Sequence, residues 1–171
     1  MTSEIKTLHL DNIIENHTQD MTGKVSVITG TTSGTGFVCA REIAKLGGTV
    51  LLLNRESDRL AASFNRFKQE VPEGKFITIT CDLQDFDSVR TAADEIKSNH
   101  NVVDVLCNNA AVMALEDLAT KDGYDIQMQT NCLSHFLLTK ELFPLLKKSK
   151  EPRIVNHSSN ARLGGPLEIK Y

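Results

Sequence analysis

The chain has 171 residues, 40% of them hydrophobic, and a formal net charge of −3. That length suits one domain with a real core, and without a lysine or arginine cluster a nucleic-acid partner is not indicated. No apolar run nears the roughly 20 residues a membrane helix needs, and an N-terminus carrying Glu4 and Asp11 lacks the apolar stretch of a secretory signal, so the default location is cytoplasmic.

Residues 1–22 read as a polar leader segment, with Ile5, Leu8, Ile13 and Ile14 near helical spacing. From Lys24 onward short apolar runs alternate with helical patterns. Val25 to Ile28 is β-prone and runs into a Gly-rich turn. Phe37 to Leu46 predicts a helix, stopped by Gly47-Gly48. Thr49 to Leu53 is apolar throughout, as a strand covered on both faces should be. Asp58 to Glu70 predicts a helix, broken by Pro72-Glu73-Gly74. Phe76 to Thr80 predicts the third strand. Phe86 to Ser98 predicts a helix with Val89, Ala92, Ala93 and Ile96 on one face. Val102 to Cys107 predicts a fourth strand, Tyr124 to Lys148 one long helix kinked near Pro144, and Arg153 to Asn156 a fifth strand.

This alternation implies the α/β class: a Rossmann-type, doubly wound parallel sheet with helices on both faces, occupying residues 23–171. Cys39, Cys81, Cys107 and Cys132 each sit in a segment that reads as buried and form no ligand spacing. They are expected to be reduced core thiols, and no metal is expected.

The first strand leads into Thr29-Gly30-Thr31-Thr32-Ser33-Gly34-Thr35-Gly36 and then a helix. Glycines let a backbone turn sharply and approach a pyrophosphate, while the helix behind offers free N–H groups and the positive end of its dipole. Thr31, Thr32, Ser33 and Thr35 add hydroxyls. Strand, loop and helix in this order are the context a nucleotide site requires. At the end of the second strand, where an NAD domain usually carries a carboxylate, stand Asn54 and Arg55, with Glu56 and Arg59 close behind. An uncharged residue followed by a guanidinium suits a 2′-phosphate, so NADP(H) is expected over NAD(H).

The spacing T-G-x-x-x-G-x-G resembles the cofactor loop of the short-chain dehydrogenase/reductase family, with Gly30, Thr32, Ser33, Gly34, Thr35 and Gly36 at the matching positions. The resemblance continues through Asp82-Leu83, where the family's aspartate accepts from the adenine amino group, although Asp82 or Asp85 would also suit a helix N-cap. Asn108-Asn109-Ala110-Ala111 is similar to the family's N-N-A-G, with Ala111 in place of glycine. Asn131, opening Asn131-Cys132-Leu133-Ser134-His135-Phe136-Leu137-Leu138-Thr139, resembles the asparagine that bends the central helix and holds a water of the proton relay. The run is closest in character to the retinol dehydrogenase-like branch, which makes His135 a packing position. Ser159 matches the serine that binds the substrate oxygen, with Ser158 its non-catalytic neighbour, and His157 stands where an apolar residue is commoner.

The resemblance implies an NADP(H)-dependent oxidoreductase moving hydride between nicotinamide and a small-molecule carbonyl or alcohol. Its catalytic members here are Asn131 and Ser159, and the complete protein could form a homo-oligomer. The family's proton donor is a tyrosine followed by lysine four residues on. Tyr124 has Met128 at that distance and Tyr171 ends the chain, so the active-site helix is expected beyond it and the sheet is expected to be incomplete on its C-terminal side. The competing reading is a truncated, inactive nucleotide-binding module. A nucleotide-sugar epimerase or a methyltransferase is disfavoured by the glycine spacing and the N-N-A run.

Overall fold

The structure is a computed structural model and describes residues 18–116 and 118–160. Five parallel strands form one sheet: β1 (Val25–Thr29), β2 (Thr49–Asn54), β3 (Lys75–Thr80), β4 (Val105–Asn108) and β5 (Arg153–Asn156). Their spatial order is β3-β2-β1-β4-β5. The order reverses between β1 and β4, so the loops leaving these strands part and open a crevice at the carboxyl edge.

The helices are α1 (Gly34–Lys45), α2 (Asp58–Glu70), α3 (Phe86–Asn99), a single turn α4 (Ile126–Met128) and α5 (Ser134–Leu146). Strand alternation sends side chains to two separate cores. Val27, Leu51, Leu53, Ile79 and Leu106 meet Val89, Ala92 and Ile96 of α3 and Leu138, Leu142 and Leu145 of α5. Ile28, Val50, Leu52 and Cys107 meet Phe37 and Ala40 of α1 and Phe67 of α2 on the other face. Phe67 stacks between Phe37 and Phe76, with ring centroids 4.2 and 4.7 Å away. Every residue of β2 after Thr49 is buried, in accord with its unbroken apolar run.

The expected doubly wound sheet is therefore present, with three changes of detail. The fourth strand begins at Val105, because Asp104 turns its carboxylate back to the sheet: it accepts from Val25 N at 2.8 Å and Ser149 Oγ at 2.6 Å. The long helix expected from Tyr124 is broken by a π turn over Gln129–Leu133. Helix α1 starts at Gly34 rather than Phe37, within the Gly-rich run. Pro144 is accommodated near the end of α5, and Leu145 and Leu146 beyond it remain buried.

The thiols also depart from expectation. Cys81 and Cys107 are buried, Cys39 is only partly so, and Cys132 is exposed on the π turn. Cys132, expected inside because its segment reads as buried, lies in the π turn, whose spacing departs from that of an α-helix. Strand β5 is exposed along its whole length, with Ile154 and Val155 41% and 51% accessible on opposite faces. Among the described residues no helix crosses either face of it. The segment up to the first strand is attached from Met21, whose N–H donates to Leu46 O at 2.9 Å. Residues 1–17 of the expected 1–22 leader, and Tyr171, lie outside the described residues.

Candidate functional site

The carboxyl ends of the strands put Gly30, Asn54, Asp82, Asn108 and the residues after Asn156 on one edge. The glycine loop is shaped by contacts that leave no room for side chains. A Cβ on Gly30, whose φ is +71°, would stand 2.8 Å from both Cα and Cβ of Ala110. A Cβ on Gly36 would press into the Gly30 carbonyl and stand 2.5 Å from Asn109 Nδ2. The N-N-A run and the glycine loop are thus packed backbone to backbone.

The N-terminus of α1 differs from those of α2 and α3. Ser57 caps α2 by accepting from Leu60 N, and Asp85 caps α3 by accepting from Asp87 N and Ser88 N. Ser33 makes no side-chain cap bond to α1, and the first turn holds no acidic residue. Those first-turn N–H groups, with exposed Ser33, Gly34 and Thr35 around them, fit a pyrophosphate. Thr31 is different. It is buried, and its N–H and hydroxyl are both taken by Asn54, at 2.8 and 2.7 Å.

Asn54 therefore spends its amide on the loop, tying the end of β2 to the turn after β1. Next to it Arg55 and Arg59 are exposed, and neither meets a carboxylate among the described residues. By contrast, Arg41, Arg66 and Arg90 are all held in ion pairs. A guanidinium left free beside an uncharged strand end is what a 2′-phosphate requires.

Asp82 is half-buried at the end of β3 and accepts from Gln84 N at 2.9 Å. Because Asp85 supplies the cap, Asp82 is not consumed by that duty. The neighbouring Leu83 is buried, and its carbonyl accepts from Ser134 Oγ at 2.6 Å.

Asn108 and Asn109 divide the work after β4. Asn108 Nδ2 donates to Thr139 Oγ1 at 3.1 Å and Asn156 Oδ1 at 2.8 Å, joining α5 to β5. Its own Oδ1 is buried with no donor among the described residues. Asn109 Nδ2 donates to the carbonyls of Thr29 and Gly30 at 2.9 and 3.1 Å. That fixes its amide orientation, so Asn109 Oδ1 must accept, and His157 Nδ1 lies 3.1 Å away to donate. His157, unexplained by sequence, thus fastens the chain leaving β5 to the central loop.

Asn131 lies in the π turn, a bulge that often marks functional sites. Its side chain is used on both atoms: Oδ1 accepts from Val112 N and Nδ2 donates to Val112 O, each at 2.8 Å. Asn131, Asn108, His135, Thr139, Asn156 and His157 line a hollow of about 470 Å³ between α5 and β5. Ser159 is exposed just past β5, on the same edge, and does not line that hollow. On the opposite face a hollow of about 260 Å³ reaches Cys39 and Cys107. There the Cys107 thiol beside it holds Cys39 below the usual thiol range, and Cys39 together with burial pushes Cys107 up.

His135 is buried, and burial lowers its pKa from the ordinary value. Its Nε2 lies 2.9 Å from Thr29 Oγ1 and its Nδ1 3.2 Å from Asn131 O. Sequence reasoning missed the role of Thr29, gave His157 no role, and counted Thr31 among the loop hydroxyls, whereas Thr31 is buried and taken by Asn54. The available signal was a hydroxyl at the last position of β1, directly before the glycines.

The sequence matches the family model of the short chain dehydrogenase over residues 24–171. An uncharacterized oxidoreductase of Schizosaccharomyces pombe is 38% identical over 162 residues, covering 91% of this chain and 48% of that protein. Retinol dehydrogenase 13 of Mus musculus is 35% identical over 86% of this chain and 44% of its own length. The chain thus spans about half the length of the curated relatives it matches. The crystal structure of a metagenomic short-chain oxidoreductase in complex with NADP is 28% identical, with a TM-score of 0.73 over 87% of this chain and 67% of that one.

Proposed function

We propose that this chain, which belongs to the short chain dehydrogenase family of oxidoreductases, binds NADP(H) across the carboxyl edge of its sheet. There it serves hydride transfer to or from a carbonyl or alcohol. The observation that carries the reading is the cradle itself: an uncapped α1 N-terminus behind glycines that admit no Cβ, with an unpaired Arg55 at the next strand end. In this assignment Gly30, Thr32, Ser33, Gly34, Thr35 and Gly36 hold the pyrophosphate. Arg55 takes the 2′-phosphate, and Asn54 fixes the loop that brings the two together. Asp82 and Leu83 border the adenine, and Asn108, Asn109 and Ala110 border the nicotinamide half. Bound there, the nicotinamide would give or accept the hydride.

Asn131 and Ser159 are the residues assigned to the reacting end. Ser159 would hydrogen-bond the substrate oxygen and stabilise charge developing on it. Asn131 gives one amide N–H and one oxygen lone pair to Val112, which anchors it to the loop after β4. Its part is to hold the π turn in place. The retinol dehydrogenases among the relatives suggest an apolar alcohol or aldehyde as substrate class. The exposed Phe136 at the lip of the α5 hollow, 74% accessible, favours the same choice.

The test is titration of the 171-residue chain with NADPH and NADH by calorimetry. Saturable binding that favours NADPH supports the assignment. Equal affinities overturn the 2′-phosphate role of Arg55, and no binding by a folded chain overturns the cofactor site.

A further inference from the structure

His135 is fixed by hydrogen bonds whose directions can be worked out atom by atom. A threonine hydroxyl has one proton and two lone pairs. Thr29 Oγ1 receives the N–H groups of Asn109 and Ala110, both at 3.0 Å, so its two lone pairs are used. Its proton must go to an acceptor. His135 Nε2 stands 2.9 Å away, nearer than the Cys107 carbonyl at 3.4 Å. That nitrogen must therefore carry a lone pair.

At the other end of the ring, Nδ1 faces the carbonyl of Asn131 at 3.2 Å. A carbonyl only accepts, so Nδ1 carries the proton. A neutral imidazole has one N–H, and the two ends agree on where it is. The buried site also disfavours the charged ring, which would aim a second N–H at an oxygen with no lone pair left.

We infer that His135 is a positioning residue: neutral, with its proton on Nδ1, it ties the Asn131 carbonyl in the π turn to the Thr29 hydroxyl under the glycine loop. The chain of contacts runs Asn131, His135, Thr29, then Asn109 and Ala110, and returns through Asn109 Nδ2 to Gly30. Helix α5 and the cofactor loop are thereby held in one register, and the consequence for binding rests on the NADP(H) reading above.

The test has two parts, both on the full chain. Long-range proton–nitrogen NMR of the ¹⁵N-labelled protein reads the tautomer, with His135→Gln identifying the signal. A protonated Nδ1 and bare Nε2 at pH 7 is the expected result. A proton on Nε2, or an imidazolium, overturns the inference. The second part measures amide hydrogen exchange at Asn109 and Ala110, and NADPH affinity, in His135→Ala and His135→Gln.

In His135→Ala, protection of those two amides should fall about tenfold relative to the Leu51 amide in the sheet, and affinity by a similar factor. The glutamine Oε1 can reach the Nε2 position and accept from Thr29, so His135→Gln should recover part of both. A merely space-filling histidine would show neither the selective loss nor the recovery. If the alanine variant does not fold, the glutamine variant against wild type carries the comparison: full loss at Asn109 and Ala110 overturns the clamp, and partial retention supports it. Wild type that shows the tautomer and protection but no NADPH binding refutes the cofactor reading and leaves the clamp standing. Equal NADPH affinity in wild type and His135→Ala refutes the positioning role alone.

Discussion

Replacing Thr29 by valine removes one hydroxyl and keeps the shape of the side chain, so the change isolates a hydrogen-bond effect at the centre of the crevice. Thr29 is 1% exposed. Its oxygen accepts from Asn109 N and Ala110 N, each at 3.0 Å, and faces His135 Nε2 at 2.9 Å. Valine leaves both N–H groups without that acceptor, where water has little room to substitute. An orphaned buried donor costs about 1–3 kcal/mol, so the pair costs about 2–6 kcal/mol. For a chain of this length that lowers the melting temperature by roughly 5–20 °C. Thr29→Ser keeps the oxygen and loses a methyl, for about 1 kcal/mol. Thermal unfolding followed by circular dichroism, with urea titration for the free energy, compares the two. Valine at least as stable as serine would refute the placement of Thr29 as the hub of the loop.

Arg55→Ala should cut the NADPH-over-NADH preference by about ten- to a hundredfold through loss of a charge-assisted contact, with NADH affinity little changed; calorimetric titration with both cofactors decides. Asp104→Ala strips the acceptor from Val25 N and Ser149 Oγ at the far end of the sheet, and urea unfolding should show a loss of about 2–4 kcal/mol with NADPH affinity of the folded protein unchanged. Burial lowers the pKa of His135 below its ordinary 6.5. The unfolded chain then binds a proton that the folded one does not, so this contribution is complete above about pH 6.5 and is lost as pH falls below it. Wild type should lose more stability than His135→Gln between pH 7 and 5, a window above the titration of Asp20, Glu70 and Asp85, whose pKa values are lowered. Alkylation of Cys39 by iodoacetamide, followed by peptide mapping against pH, should have a midpoint below that of an ordinary thiol, and Cys107→Ala should move it up.

Much of this molecule is local in origin, and that part was legible. Asp58–Glu70 and Arg153–Asn156 fall where capping residues and apolar runs place them, because helix stops and strand-forming runs act over a few residues. The glycine loop declared itself by its position between strand and helix. The helix before Asn131 was misjudged as continuous, since a π turn has no period of its own and depends on what its side chains meet. Asn131 meets Val112, 19 residues earlier in the chain, and that contact cannot be read from spacing. Cys132 was expected inside and is exposed for the same reason.

The sequence by itself determined the alternation of strands and helices, the two apolar faces, and the order of residue types along the carboxyl edge of the sheet. These depend on periodicity and on backbone freedom at glycine. Only the tertiary structure decided what each polar group does. It assigned Asn54 and Thr31 to each other, His157 to Asn109, and His135 to the gap between Thr29 and Asn131. Apart from His135 with Asn131, four residues apart, such pairings join residues 23 to 106 positions apart, and their directions follow from counting protons and lone pairs at atoms that meet only when the sheet has closed.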